Sequence, residues 1–107
     1  MKGSNAETVA IHHFENLGAV LICRNLPTIF SEIDLVFLSA DNEIWLIEVK
    51  LVDHDELIFN SPVKDQQMRR LKRLVDRWIE CVDKPVRFHL AAVNHKNEVL
   101  LFEDFLS

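Results

Sequence analysis

Two apolar segments separated by a short polar stretch constrain the fold of this chain more than any other feature. Residues 33–38 (IDLVFL) and 44–50 (IWLIEVK) are rich in β-branched and aromatic side chains, and residues 39–43 between them include Asp and Asn. Such runs favour β-strands, and a polar connection of this length is typical of a hairpin. The sequence therefore predicts two antiparallel strands in a sheet, against which the remaining elements pack.

The flanking sequence predicts helices and further strands on both sides of this hairpin. Apolar residues recur at intervals of three and four through residues 6–17, where Gly18 ends the pattern, and again through residues 63–82. Three more apolar runs predict strands at residues 19–24, 87–93 and 98–102. The predicted order is α-β-β-β-α-β-β. This order predicts an α/β (α+β) fold with one central mixed sheet flanked by helices, in a single domain of residues 1–107.

The composition is that of an ordinary globular protein, with 49% apolar and 27% charged residues, which argues against disorder. No segment approaches the roughly 18 apolar residues that a membrane span requires, and the first residues lack the apolar core of a signal peptide. We therefore expect a cytoplasmic protein that does not enter the membrane. Cys23 and Cys81 lack the spacing of a redox or metal motif, so we expect both to be reduced packing residues.

The formal net charge of −5 hides an uneven distribution of charge along the chain. Residues 64–77 carry a net charge of +4, which leaves −9 for the rest. The basic residues of this segment are Lys64, Arg69, Arg70, Lys72, Arg73 and Arg77. Because a phosphate backbone responds to local charge, Lys64, Arg69, Arg70, Arg73 and Arg77 are candidate nucleic-acid-binding residues. The simpler alternative is that the outward-facing arginines form a solvated helix face.

Asp34, Glu48 and Lys50 interrupt the two apolar strands of the hairpin. Side-chain alternation predicts that Asp34 shares a face with Val36 and that Ile33 lies on the opposite face. By the same rule, Glu48 and Lys50 share a face of the second strand. If the two strands pair around residues 39–43, the carboxylates of Asp34 and Glu48 lie near each other at one end of the hairpin.

Two carboxylates held close together repel each other, and a divalent cation between them removes that cost. Mg²⁺, or Mn²⁺ in its place, prefers oxygen ligands completed by water and phosphate. Asp34 and Glu48 are therefore candidate metal ligands, with the backbone carbonyl of Val49 as a third. Lys50 could orient or deprotonate an attacking water, or stabilise the charge of a phosphoryl transition state. The alternative is a cluster of charged residues that only satisfies itself.

The segments Ser31–Leu35 (SEIDL) and Ile47–Lys50 (IEVK) resemble the PD-(D/E)xK nuclease superfamily. More narrowly, the chain resembles the small bacterial YraN-like family, which is related to Holliday-junction resolvases. Further matches follow in order along the chain: Ala6-Glu7, Ala10, Gly18, Arg24-Asn25, Ser61-Pro62, Lys64 and Arg87-Phe88. The resemblance implies a restriction-endonuclease-like fold and a Mg²⁺- or Mn²⁺-dependent deoxyribonuclease that acts on DNA, including branched or junction DNA.

Carried over to this sequence, the resemblance makes Asp34 and Glu48 metal ligands and Lys50 the catalytic lysine. It gives Glu7, on the first helix, a supporting role in the site or at a second metal. Helix phasing adds two candidates to the site, because Lys64 falls on the inward face of the second helix and Gln67 on its flank. His89, which stands where the family often has Asp, either flanks the site or is only hydrogen-bonded.

Two other functions stay open at this stage. The first is a catalytically silent module with the same fold that binds nucleic acid without cutting it. The second is a subunit of a larger DNA-processing complex. A chain of 107 residues has little surface with which to clamp a substrate, so a homodimer is also an expectation.

Overall fold

The structure, a computed structural model, describes residues 2–28, 32–52 and 65–103. Within these residues it contains two helices and five strands. The elements are α1 (Lys2–Asn16), β1 (Val20–Pro27), β2 (Glu32–Leu38), β3 (Ile44–Leu51), α2 (Asp65–Cys81), β4 (Val86–Val93) and β5 (Val99–Phe102). The predicted order α-β-β-β-α-β-β is confirmed.

The five strands form one sheet in the order β1-β2-β3-β4-β5. Strands β3 and β4 are parallel, and the other neighbours are antiparallel. A parallel pair needs a long crossover connection, and α2 belongs to the connection between β3 and β4. The predicted mixed sheet is therefore confirmed. Neither helix in the described part of the chain has the length and apolarity that a membrane span needs.

Helix α1 ends at the predicted position because Gly18 adopts a left-handed backbone, with φ of 86°. The Ala19 N–H donates to the Phe14 carbonyl at 3.1 Å, and the Gly18 N–H donates to the Glu15 carbonyl at 2.9 Å. These two bonds form a Schellman motif, which satisfies carbonyls that the end of a helix would otherwise leave unpaired. Glycine suits this position because it adopts positive φ without a steric penalty.

Helix α1 packs on one side of the sheet, which we call the α1 face. The buried side chains there are Ala10, Phe14, Ala19, Leu35, Phe37, Ile47 and Ala91. The Phe14 ring centroid lies 5.2 Å from that of Phe37 and 6.0 Å from that of Trp45. Leu17, predicted to continue this apolar stripe, is 52% exposed because α1 has ended one residue earlier.

Helix α2 covers the opposite side, which we call the α2 face. The buried side chains there are Ile33, Val36, Ile44, Leu46, Leu74, Val75, Val86, Phe88 and Leu90. Ile79, predicted to belong to the buried stripe of α2, is 51% exposed.

The predicted alternation of β2 was wrong at Ile33. Ile33 and Val36 both pack on the α2 face, although residues three apart in a regular strand lie on opposite faces. Their partners on β1, Leu26 and Cys23, pack against the same cluster. Between these partners, Asn25 has a left-handed backbone with φ of 52°. Both strands therefore lose regular alternation at the same level of the sheet, which the sequence pattern alone did not reveal.

The aromatic contact under α1 gives a test of the fold. Phe14→Ala should lower the free energy of unfolding by about 3–5 kcal/mol, because it empties a site that is fully buried against Phe37 and Trp45. Leu17→Ala, on an exposed side chain three residues later, should change it by at most about 0.5 kcal/mol. Urea unfolding measures both, and equal losses for the two variants would contradict this packing.

Candidate active site

The ladder between β2 and β3 ends at the pair Leu35–Ile47, one residue before Asp34 and Glu48 would face each other. Beyond this point the Val49 N–H donates a hydrogen bond of 2.8 Å to Oδ2 of Asp34. In a continued ladder a backbone carbonyl of β2 would accept a hydrogen bond from β3, and here a side chain accepts it. The Asp34 carboxylate is thereby held beside β3, next to the residue that follows Glu48.

Glu48 and Lys50 lie on the α2 face near the carboxyl end of β3. Leu46 packs on that face and Ile47 on the other, so alternation carries the next even-numbered side chains to the α2 face. The structure buries Glu48, at 7% exposure, and leaves Lys50 half-buried. Asp34, Glu48 and Lys50 thus lie near the same end of the β2–β3 hairpin, and their predicted roles stay predictions.

The charged groups of Asp34 and Lys50 have few hydrogen-bond or ion-pair partners among the described residues. Within residues 2–28, 32–52 and 65–103, Lys50 forms no ion pair, and Oδ1 of Asp34 accepts no hydrogen bond. Among the described residues, one carboxylate oxygen and one ammonium group therefore have no partner at this end of the sheet.

The oxygen ligands available at this site fit Mg²⁺ or Mn²⁺ better than a metal ion that prefers nitrogen or sulfur ligands. Among the described residues, no three His, Cys, Asp or Glu side chains come together as a metal cluster. Mg²⁺ needs fewer protein ligands, because it keeps several water ligands and is commonly held by one or two carboxylates. Asp34, Glu48 and the Val49 carbonyl would supply oxygen ligands of the preferred kind.

Glu7 lies on α1 and forms an ion pair with a residue of β1. Its Oε1 is 3.1 Å from Nη2 of Arg24, and the Glu7 side chain is 14% exposed. Arg24 pairs with Leu35, the neighbour of Asp34, so this ion pair lies at the same level of the sheet as the trio. The observed partner of Glu7 is thus Arg24, and its predicted role in supporting the site stays a prediction.

The basic residues of α2 face solvent. Arg69, Arg70, Lys72 and Arg73 are exposed within the first half of the helix, and no acidic residue separates them. Arg77 is exposed as well, but it shares a shallow depression with Arg73 and the acidic side chains Asp76 and Glu80. The positive charge is therefore concentrated at residues 69–73.

Two other predicted residues lie where the structure does not describe their side chains. Lys64 lies outside the described residues, and Gln67 belongs to the first turn of α2, where only the backbone is described. Their predicted reach to the site stays a prediction.

His89 does not flank the trio. It is 2% exposed and lies on the α1 face, where its ring meets Trp45 edge-on with centroids 4.9 Å apart. The indole N–H of Trp45 donates to Glu43 at 3.0 Å, and the Arg87 Nε–H donates to the same carboxylate at 3.0 Å. Trp45 and Arg87 lie at the start of β3 and β4, whereas His89 pairs with Ile47 on the α1 face, opposite the face that carries Glu48 and Lys50.

Sequence reasoning missed the structural part that Arg24 and Asn25 play beside the trio. Arg24 was the last residue of the predicted strand, and Asn25 was assigned to the loop after it. The structure continues β1 to Pro27, so both residues lie within the strand. The sequence pattern does not reveal an ion pair or a left-handed backbone, because both depend on elements distant in sequence.

Comparison with known proteins identifies the family. A family model described as uncharacterised protein family UPF0102 matches residues 6–93. The chain belongs to this family. A UPF0102 protein of Thermodesulfovibrio yellowstonii is 33% identical over 99 residues, covering 88% of this chain and 86% of the relative. Another from Corynebacterium glutamicum is 28% identical over 108 residues, covering 95% and 88%. The resemblance to the YraN-like family is confirmed.

A solved structure shows the fold shared by this family member. The chain is similar to a repair endonuclease from Pyrococcus abyssi, with a TM-score of 0.56 and 19% sequence identity. The match covers 85% of this chain but 38% of the endonuclease. The predicted fold, one mixed sheet flanked by helices, is confirmed and is shared with this endonuclease.

The hydrogen bond at the end of the hairpin gives a stability test. Asp34→Ala should lower the free energy of unfolding by about 1–3 kcal/mol, because the Val49 N–H loses its acceptor. Asp34→Asn keeps an oxygen acceptor and should lose roughly 1 kcal/mol or less. Chemical denaturation of both variants, with the exposed Asp41→Ala as control, measures this. Equal stability of Asp34→Ala and wild type would mean that the bond does not hold the strand end.

Proposed function

We propose that this protein is a metal-dependent nuclease that hydrolyses phosphodiester bonds of DNA. The observation that carries the proposal is the Asp34 carboxylate, which a hydrogen bond from Val49 holds beside buried Glu48 and half-buried Lys50. Two carboxylates and a lysine at one sheet end are a set that phosphodiester hydrolysis can use. Family membership and the fold shared with a repair endonuclease support the same function.

Asp34 and Glu48 would hold Mg²⁺ or Mn²⁺, with the Val49 carbonyl as a further ligand. The bound ion would lower the energy of a hydroxide nucleophile and neutralise charge on the phosphate. Asp34 suits this role because one of its oxygens is fixed by Val49 while the other has no partner among the described residues. Fixing the carboxylate in advance lowers the cost of organising the site.

Lys50 would act on the water or the phosphate. It lies two residues from Glu48 on the same face and has no ion-pair partner within the described residues. An ammonium group there can donate hydrogen bonds to the attacking water and to a non-bridging oxygen of the phosphate. Since charge grows on these oxygens in the transition state, this contact stabilises the transition state more than the bound substrate.

Helix α2 would bind the DNA backbone. Arg69, Arg70, Lys72 and Arg73 present four positive charges to solvent within five residues. Contacts of this kind go to phosphates, so they add affinity without reading sequence. We propose branched DNA as the preferred form, on the resemblance to junction resolvases and on the fold shared with an enzyme described as a repair endonuclease.

The second candidate is a nuclease-fold protein that binds nucleic acid without cutting it. The exposed basic segment of α2 favours this candidate as much as it favours a nuclease. The trio argues against it, because binding alone gives no reason to hold Asp34 beside a buried glutamate. Tight DNA binding at low salt, with no Mn²⁺ binding by calorimetry, would favour the silent module. Assembly into a homodimer or a larger complex stays a prediction.

The nuclease proposal is tested on linear, nicked, flapped and four-way DNA with Mn²⁺. Wild-type protein should cut at least one form, and Asp34→Asn and Lys50→Ala should each reduce the rate by more than about 100-fold while the proteins stay folded. Lys84→Ala is the matched control, since Lys84 precedes β4 near the opposite end of β3. Cleavage that survives both site substitutions would rule out the proposed chemistry.

The DNA-binding face is tested by the salt dependence of binding. Arg69→Gln combined with Arg73→Gln should reduce the slope of log K against log salt concentration by about 0.9 for each phosphate that the protein no longer neutralises. Fluorescence anisotropy with labelled DNA in the presence of Ca²⁺ measures the slope. Lys84→Gln combined with Arg87→Gln removes the same charge at the start of β4, away from the candidate site, and should leave the slope closer to that of wild type. Equal slopes for the two double variants would place the DNA on another surface.

A further inference from the structure

Three asparagines have a left-handed backbone in the described part of the chain, and one of them lies within a strand. Asn42, with φ of 65°, and Asn97, with φ of 63°, occupy the turns between β2 and β3 and between β4 and β5. Asn25, with φ of 52°, lies in β1 two residues before its end. Turns require such a backbone to reverse the chain, whereas a strand does not.

Asn25 occupies the position of β1 that faces Asp34. Arg24 pairs with Leu35 and Leu26 pairs with Ile33, which places Asn25 opposite Asp34 between these two pairs. Asn25 therefore lies opposite the first residue of β2 beyond the regular β2–β3 ladder.

The left-handed residue changes which side chains face which side of the sheet. Leu35 packs on the α1 face, and regular alternation would put Ile33 there as well. Instead Ile33 packs on the α2 face together with Leu26, the residue that follows Asn25. The change of face falls between Ile33 and Leu35, which is the position of Asp34.

The same change accounts for the position of the Asp34 carboxylate. In a regular strand the side chain of residue 34 would stand perpendicular to the sheet. A backbone carbonyl would accept the hydrogen bond from the next strand. Here Oδ2 of Asp34 accepts the Val49 N–H at 2.8 Å, so the carboxylate lies along the sheet towards β3. The carboxylate reaches β3 at the level of the sheet where Asn25 lies on β1.

We propose that Asn25 is a positioning residue for Asp34, and this rests on the nuclease function proposed above. Its left-handed backbone breaks the alternation of β1 and β2 at one level and thereby directs the Asp34 carboxylate towards Val49 and Glu48. Asparagine is suited to the task because it adopts positive φ more readily than other residues with a side chain. Asn25 acts through Asp34 and does not itself touch the substrate.

The experiment separates positioning from stability with a matched pair of variants. Asn25→Ala and Asn42→Ala impose the same backbone penalty, so each should lower Tm by about 4–8 °C. The Val49 amide is followed by ¹⁵N NMR. The Asp34→Ala variant gives the reference position of its resonance when the Val49–Asp34 hydrogen bond is absent. Asn25→Ala should move the Val49 amide towards that position, and Asn42→Ala should leave it unchanged.

The second readout is the affinity for Mn²⁺ alone, measured by electron paramagnetic resonance of the free ion. Asn25→Ala should weaken Mn²⁺ binding by roughly 10–100-fold, as expected for loss of a group that orients a ligand. Asn42→Ala should bind Mn²⁺ as wild type does. A Val49 amide and a Mn²⁺ affinity that respond equally to both variants would overturn the proposal.

Asn25→Gly keeps the test decisive if the alanine variant fails to fold. Glycine adopts positive φ freely, so the Val49 amide and the Mn²⁺ affinity should stay at their wild-type values. A displaced Val49 amide in Asn25→Gly would overturn the proposal, because the backbone conformation alone would then be insufficient. Failure of the nuclease proposal looks different: wild-type protein would bind no Mn²⁺ and cut no DNA, while the Val49 amide would still report on Asn25.

Discussion

The hydrogen bond from the Val49 amide to the Asp34 carboxylate joins the fold of this protein to its candidate chemistry. A backbone donor at a strand end needs a partner, since a buried N–H without one costs about 1–3 kcal/mol. Because the Asp34 side chain is that partner, one hydrogen bond satisfies the Val49 N–H and also fixes the Asp34 carboxylate beside the residue that follows Glu48. The same contact therefore serves both the stability of the hairpin end and the organisation of the site.

The charged groups lie at one end of the sheet, whereas helices α1 and α2 cover its two faces with apolar side chains. Phe14 and its neighbours fill the α1 face, and Leu74 and Val75 pack on the α2 face. Glu48 is buried at the margin of this packing, where a charge is costly unless it is compensated. In the proposed site, a divalent cation and the nearby Lys50 would add to the interactions that Glu48 already makes.

The separation of charge along the chain agrees with the proposed nuclease function. Four of the exposed basic residues of α2 lie within five positions, whereas the chain as a whole is acidic. Such a local positive surface attracts a phosphate backbone that the net charge would repel, and salt weakens that attraction. Affinity would then come from α2 and chemistry from the end of the hairpin, on different elements of one domain.

The sequence by itself determined the order of elements, the hairpin that carries Asp34 and Glu48, and the exposed arginines of α2. These follow from local periodicity and turn chemistry, which act between residues close in the chain. Only the tertiary structure decided that Ile33 packs beside Val36, that His89 faces Trp45, and that Arg24 pairs with Glu7. Each of these depends on a neighbouring strand or helix, or on a single left-handed residue that shifts alternation. The trio of Asp34, Glu48 and Lys50 was predicted from alternation, yet the Asp34 carboxylate reaches β3 at a point where alternation breaks.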